Sequence, residues 1–132
     1  VRIYYAETDA GGVVYHSKYL DLFERCRTEW LRQLGHNQQN LIDEHNIVFV
    51  VRNINIDYLR PGRLDDLLQV GLEVEKLGRS QIVFRQHIRR EEADGGWTEL
   101  ASAAVQIVCV DFAKFKSAPI PDWLRAKLET LQ

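Results

Sequence analysis

The residues best placed to do chemistry lie together near the start of the chain. Asp9 is followed by Ala10, Gly11 and Gly12, and within a few residues the longest helical pattern of the sequence begins. A carboxylate supplies charge, and glycines let another molecule approach the backbone. A helix start presents unpaired N–H groups to anything negative. Tyr5 lies just upstream of Asp9 and His16 just downstream, so a tight loop brings all three toward one pocket at the helix start. Each also has a plainer use. Asp before Gly is commonly a turn residue, a lone histidine here caps the helix or sits on the surface, and Tyr5 alone is a core aromatic.

Other chemistries find little support. His36, His45 and His87 are not paired at metal-ligand spacing and have no cysteine beside them. The sequence contains no G-x-S-x-G elbow, no C-x-x-C and no phosphate-cradling glycine loop. Cys26 falls inside the helical pattern on its apolar side, where a thiol is a poor nucleophile unless its pKa is depressed. With Cys109 in an apolar strand, both cysteines read as free thiols of a reducing compartment, and cytoplasmic residence is the expectation.

The elements that must position Asp9 follow from hydrophobic spacing. Leu20, Phe23, Trp30, Leu31 and Leu34, with Tyr19 and Cys26 beside them, mark the buried face of a long helix. Ser17 is its expected N-cap and Gly35 its C-terminal stop. Val1 to Glu7 alternates as a strand, with Ile3 and Tyr5 on one face. Gln38 to His45 predicts a short second helix. From Ile47 to Leu59 the period becomes two, placing Val48, Val50, Ile54, Ile56 and Tyr58 on one face with Arg52 interrupting. Leu68 to Val74 and Ile82 to Ile88 alternate around a Gly78-Arg79 turn as a hairpin. Asp94-Gly95-Gly96 turns the chain into a long apolar strand, Thr98 to Val110, expected to be covered on both faces or at a subunit contact. Trp123, Leu124, Leu128 and Leu131 form a terminal amphipathic helix. Short turns require antiparallel neighbours, and a long helix must bury its stripe on one sheet face. The expectation is one α+β domain over residues 1–132, a curved five-stranded antiparallel sheet wrapped around a central helix.

Composition fits that picture: 45% hydrophobic, 27% charged, net charge −2. Such a balance gives no electrostatic reason to expect nucleic acid or an anionic membrane. The longest apolar run, Ile47 to Val51, is far too short to span a bilayer.

The run Tyr5 to Leu31, Y-x-E-T-D-A-G-G-V-V-Y-H-S-K-Y-L-x-x-F-E-x-x-R-T-E-x-L, resembles the signature of hotdog-fold acyl-CoA thioesterases. More narrowly, it is similar to the 4-hydroxybenzoyl-CoA thioesterase family and its Tol–Pal-associated bacterial branch. The likeness extends to Tyr58-x-x-Pro61 and to the Gly78-Arg79-Ser80 turn. It implies a hotdog fold and hydrolysis of acyl-CoA to free acid and CoA, with no cofactor beyond the substrate. Asp9 would be the catalytic carboxylate, acting as a nucleophile or as a general base for water. Amides at the helix start around His16 would polarise the thioester carbonyl. Tyr5 and His16 would support Asp9 and line the pocket, and Gly11, Gly12 and Val13 would contact substrate. A thiolate leaving group needs little protonation, so one carboxylate suffices. The family also implies a homodimer or homotetramer, with the acyl pocket between the helix and a second subunit.

Several alternatives stand beside this reading. Glu24 is a rival carboxylate on the helix, more simply read as half of a partly buried Glu24–Arg27 pair or as a subunit contact. Arg60, Arg63, Lys76, Arg79 and Arg85 are the cations available for CoA phosphates. The substrate could instead be acyl carrier protein, although the small negative charge argues mildly against an acidic carrier. A non-catalytic module binding acyl-CoA or an envelope partner is the alternative from another class; it would not need Asp9.

Overall fold

A computed structural model describes residues 1–132. Four long strands, β1 (Ile47–Tyr58), β2 (Leu68–Leu77), β3 (Gln81–Glu91) and β4 (Trp97–Asp111), form an antiparallel sheet in the order β1-β4-β3-β2. A two-residue strand, β5 (Lys116–Ser117), adds to the end of β4. Helix α1 (His16–Gln33) lies over β2 and β3, followed by α2 (Gln38–His45), and α3 (Asp122–Glu129) closes the chain. This is the expected α+β arrangement of a long helix against a five-stranded sheet.

The fifth strand is not the one expected. Val1 to Glu7 makes a single bridge, Arg2 with Leu67, and Tyr5–Glu7 forms one 3-10 turn. Ile3 is the one buried residue of the segment and exchanges backbone bonds with Asp65 and Asp66, while Val1 exchanges them with Leu68 at the start of β2. Tyr5, expected beside Ile3 on the same face, is 81% exposed. Alternation could not reveal that the segment pairs only with the loop before β2 and that strand's first residue.

The sheet core follows from period two once one irregularity is included. β1 shifts register between Val51 and Asn53, so Arg52 is a bulge. Phe49, Val51, Ile54 and Ile56 therefore stand opposite Cys109, Ile107, Val105 and Ala103, the buried face of β4. Val48 and Val50, expected to share a face with Ile54 and Ile56, point to the other side. β4 is buried along its helix-facing side and only half-covered on the other, at Ser102, Ala104, Gln106 and Val108.

α1 ends as expected, with Gly35 at φ +88° beyond Leu34. It begins two residues earlier than Ser17 would place it. Tyr15 is the N-cap residue and gives no side-chain cap bond. The buried stripe is Tyr19, Leu22 and Phe23; Leu20, expected in the core, is 40% exposed.

Candidate active site

The loop before α1 is built by its own backbone. Thr8 bridges Val14 and Val13 bridges Arg63, while Asp9 N–H donates to Val13 O at 2.9 Å and Gly12 N–H to Asp9 O at 3.0 Å. Gly12 sits at φ +77°, a conformation that favours glycine. Asp9 Oδ1 accepts from the N–H groups of Gly11 at 2.8 Å and Val13 at 3.2 Å. The carboxylate is thus held in one orientation with Oδ2 left without a hydrogen-bond partner. The plain reading of Asp9 as a turn residue describes one of its oxygens; the other is free for chemistry.

The same bonds bear on Gly11, Gly12 and Val13, expected to contact substrate, through their backbone donors alone. All three amides are occupied by Asp9, so they are not donors to a substrate. The open donors come next in the chain. Val14 N–H is given to Gly62 O, Tyr15 N–H to Glu7 O and Lys18 N–H to Tyr15 O. His16 and Ser17 N–H have no acceptor in the chain, and no side chain caps them. Two adjacent free amides at the head of an 18-residue helix, with the helix dipole behind them, make a seat for an oxyanion.

A cavity of about 190 Å³ adjoins this seat, lined among others by Val13, His16, Tyr58 and Arg60. The His16 ring stacks on Tyr58 at 4.1 Å between centroids and 13° between planes. Behind it, buried Tyr19 accepts from Gly62 N–H through its hydroxyl at 2.8 Å. Burial, partly offset by that bond, raises the Tyr19 hydroxyl above its ordinary pKa. A Cβ on Gly62 would meet Tyr19 Oη and Val14 Cγ2 at 3.1 Å each, so this glycine lets the Arg60–Gly62 turn close on the helix.

Of the three residues expected to converge, His16 lines the cavity. Asp9 lies exposed at the loop beside the helix head, and Tyr5 points to solvent. Tyr5 contributes backbone instead: its carbonyl accepts from Thr8 N–H at 3.1 Å and Thr8 Oγ1 at 2.8 Å. The adjoining Glu7 accepts from Tyr4 N–H and pairs with Lys18 Nζ at 2.9 Å, tying the loop to α1. Burial opposes ionisation of Glu7, but the Lys18 bond and the Tyr4 amide bring its pKa below the ordinary value. Tyr58 and Tyr19 are the site residues that spacing did not point to. Their signal lies in pairing across the fold, which one strand's alternation cannot carry.

The rival carboxylate is not ion-paired. Arg27 donates from Nη1 to Gln86 Oε1 at 2.8 Å, and no Glu24–Arg27 contact falls within ion-pair distance. Both line a second, larger cavity of about 450 Å³ between α1 and β1. Among the five candidate cations, Arg60 lines the helix-head cavity and Arg63 is bridged to Val13. Lys76 and Arg79 belong to the β2–β3 turn and a groove on the outer sheet face, and Arg85 is paired to Glu75 at 3.1 Å.

Comparison with known proteins bears on the family and the fold. The sequence profile of the thioesterase superfamily matches residues 11–96. The acyl-CoA thioesterase YbgC of Haemophilus influenzae is 43% identical over 132 residues, covering 100% of this chain and 93% of that protein. The long-chain acyl-CoA thioesterase FadM of Escherichia coli is 33% identical over 118 residues, covering 89% and 86%. Among solved structures, a probable thioesterase from Bartonella henselae superposes with a TM-score of 0.80 at 34% identity, covering 92% of this chain and 95% of that one. The 1,4-dihydroxy-2-naphthoyl-CoA thioesterase from Synechocystis superposes at 0.87 with 25% identity, covering 99% and 93%.

Proposed function

This chain belongs to the thioesterase superfamily, with the hotdog fold and the activity of an acyl-CoA thioester hydrolase, and from that premise we propose how its own residues perform the hydrolysis. The thioester carbonyl oxygen sits on the free amides of His16 and Ser17. Negative charge develops there as the tetrahedral intermediate forms, and fixed donors at a helix head stabilise it without reorganising. Asp9 acts through Oδ2, either on the carbonyl carbon, giving a mixed anhydride that water then hydrolyses to the free acid, or on the attacking water, whose proton it takes, while Oδ1 stays on the Gly11 and Val13 amides. The C–S bond breaks and CoA leaves as a thiolate, which needs little protonation. His16, stacked on Tyr58, walls the site, and Arg60 and Arg63 are the cations nearest to it for CoA phosphates.

The observations that carry this reading are a carboxylate oxygen without a partner in the loop before α1 and two unclaimed amides at adjacent positions at the head of that helix. Asp9→Asn tests it. An amide oxygen at that position still accepts from Gly11 and Val13, so the loop and the melting temperature are preserved. Release of free CoA from a panel of acyl-CoAs should nevertheless fall by about 10²–10⁴ in kcat. A variant that keeps most of its turnover removes Asp9 from the mechanism.

The finer placement, within the Tol–Pal-associated branch of the 4-hydroxybenzoyl-CoA thioesterase family, is part of the same proposal and rests on the Tyr5–Leu31 run and on the YbgC likeness. So is a homodimer or homotetramer. β1 is an edge strand of 12 residues, and Leu20, Val51 and Ile54 are exposed along its junction with α1. A second copy seated there would close over the cavity between α1 and β1, and light scattering on the purified chain reads the outcome directly. Free Cys26 and Cys109 support residence in the reducing cytoplasm.

A further inference from the structure

Between α1 and β1 the helix stands off the sheet and leaves the cavity of about 450 Å³. Its walls are mostly apolar, with Phe49, Val51 and Ile54 on the strand side and Leu20 and Leu31 on the helix side. Leu20 lies about one turn beyond His16, and Tyr58 and Ile54 share a face of β1. The cavity therefore lies next along the same helix and the same strand as the helix-head cavity, with which it shares no lining residue. The apolar lining is broken on the helix by Arg27, with Glu24 about a turn above it and Thr28 beside it, and past the helix end by Asn37 and Gln38; Arg27 is the one cation among them.

Arg27 is oddly supplied for a half-buried cation. Gln86, 0% exposed, donates from Nε2 to Phe23 O at 3.0 Å and accepts Arg27 Nη1 at 2.8 Å. That bond uses one of the five N–H donors of a guanidinium. No other N–H of Arg27 has a partner and none of those atoms is fully buried, and the side chain lines the cavity. Burial pulls its pKa below the ordinary arginine value, with Glu24 opposing from a distance. Bracing Gln86 needs a single donor, which a neutral side chain could provide without the cost of a desolvated charge. The unused donors face space large enough for part of a ligand. Phe23 fixes their level at about two turns, roughly 10 Å, from the helix head.

We propose that this cavity takes the acyl group of the substrate and that Arg27 reads an oxygen acceptor at its far end, so that the enzyme prefers medium-length acyl groups bearing a distal hydroxyl or keto oxygen over plain hydrocarbon chains. The proposal rests on the thioesterase reading above and names the substrate class of that site. Glu24 on the same wall disfavours a carboxylate, so a neutral oxygen is the fitting acceptor. Arg27 is then a specificity-determining residue, remote from the bond that breaks.

The test compares octanoyl-CoA, ω-hydroxyoctanoyl-CoA and ω-carboxyoctanoyl-CoA by free-thiol release. The wild-type protein should show a kcat/KM about tenfold higher for the hydroxylated chain than for octanoyl-CoA, with the carboxylated chain below the hydroxylated one. Arg27→Met should bring the hydroxyl-to-methyl ratio close to one, and Arg27→Lys should retain part of it. Ile54→Trp, which fills the cavity, should lower kcat/KM at least tenfold for all three. Thermal melts establish that each variant is folded; if Arg27→Met does not fold, the wild-type ratio and Arg27→Lys decide. Equal kcat/KM for the two neutral chains in the wild-type protein, or a preference that survives Arg27→Met, overturns the assignment while leaving the thioesterase reading intact. A wild-type protein that releases thiol from no acyl-CoA overturns both.

Discussion

In the first half of α1, Tyr19, Leu22 and Phe23 are buried to 2% exposure or less, whereas in the second half Trp30, Leu31 and Leu34 only flank the core. The same helix presses onto the sheet at one end and stands off it at the other. The tight half fixes the helix head: Phe23 and Leu22 anchor it, and Tyr19 pins the Arg60–Gly62 turn beside the free amides of His16 and Ser17. The loose half supplies most of the helix wall of the larger cavity, Arg27, Thr28, Trp30 and Leu31, and the tight half adds Leu20 and Glu24 from its other side. One half of the helix serves the precision of the reacting group, and the other serves room for what is attached to it.

Truncation at matched positions sharpens this contrast. Phe23→Ala should destabilise by about 3–5 kcal/mol in urea melts, because the surroundings are packed and leave a void. Leu31→Ala, at the cavity wall, should cost less than about 2 kcal/mol, since it removes partial burial and enlarges space already present. Equal losses at the two positions would erase the distinction. An intermediate effect is expected at Gly62→Ala. The added methyl must push Tyr19 Oη or Val14 aside, at a cost of about 1–3 kcal/mol. Because it shifts the helix head, kcat should fall with stability, which a remote substitution of the same cost would not reproduce.

The last effect is confined to alkaline pH. Burial in the β4 core raises the Cys109 thiol from 9.0 to about 11, so the folded chain keeps a proton that the unfolded chain releases. The resulting stabilisation is full below pH 9 and is lost as pH rises through about 11. The urea midpoint of the wild-type protein should decline across that window, and Cys109→Ala should flatten the decline.

Most of the architecture was legible in the sequence, for reasons that differ by element. β2 and β3 face the core on one side only, so their alternation survives to the sequence, whereas β4 reads as a continuous apolar run although one of its faces is only half-covered. α2 matched its expected range, Gln38–His45. β1 misled because a bulge inserts one residue and exchanges faces from Arg52 onward; its alternation reads as one strand with an odd arginine. The N-terminal segment misled because alternation reports a half-buried extended chain, and only Ile3 is buried there. At the site, Asp9 and His16 were visible as residue types in a suggestive order. The partners that shape the site, Tyr58 on His16 and Gly62 on Tyr19, were not. Those contacts join residues far apart in the chain, through the register of a sheet that must form first. Arg27 was visible, but its pairing with Gln86 in place of Glu24 depended on which strand residue the helix covers.

The uncapped opening of α1 has a consequence for any improvement of this protein. A serine or aspartate side chain folded back over the first turn would strengthen the helix by about 1 kcal/mol, and would fill with its own oxygen the place reserved for the carbonyl of another molecule. Heat resistance and turnover are therefore set against each other at Tyr15, and variants ranked by thermal endurance alone would drift toward a sturdier protein with a plugged mouth.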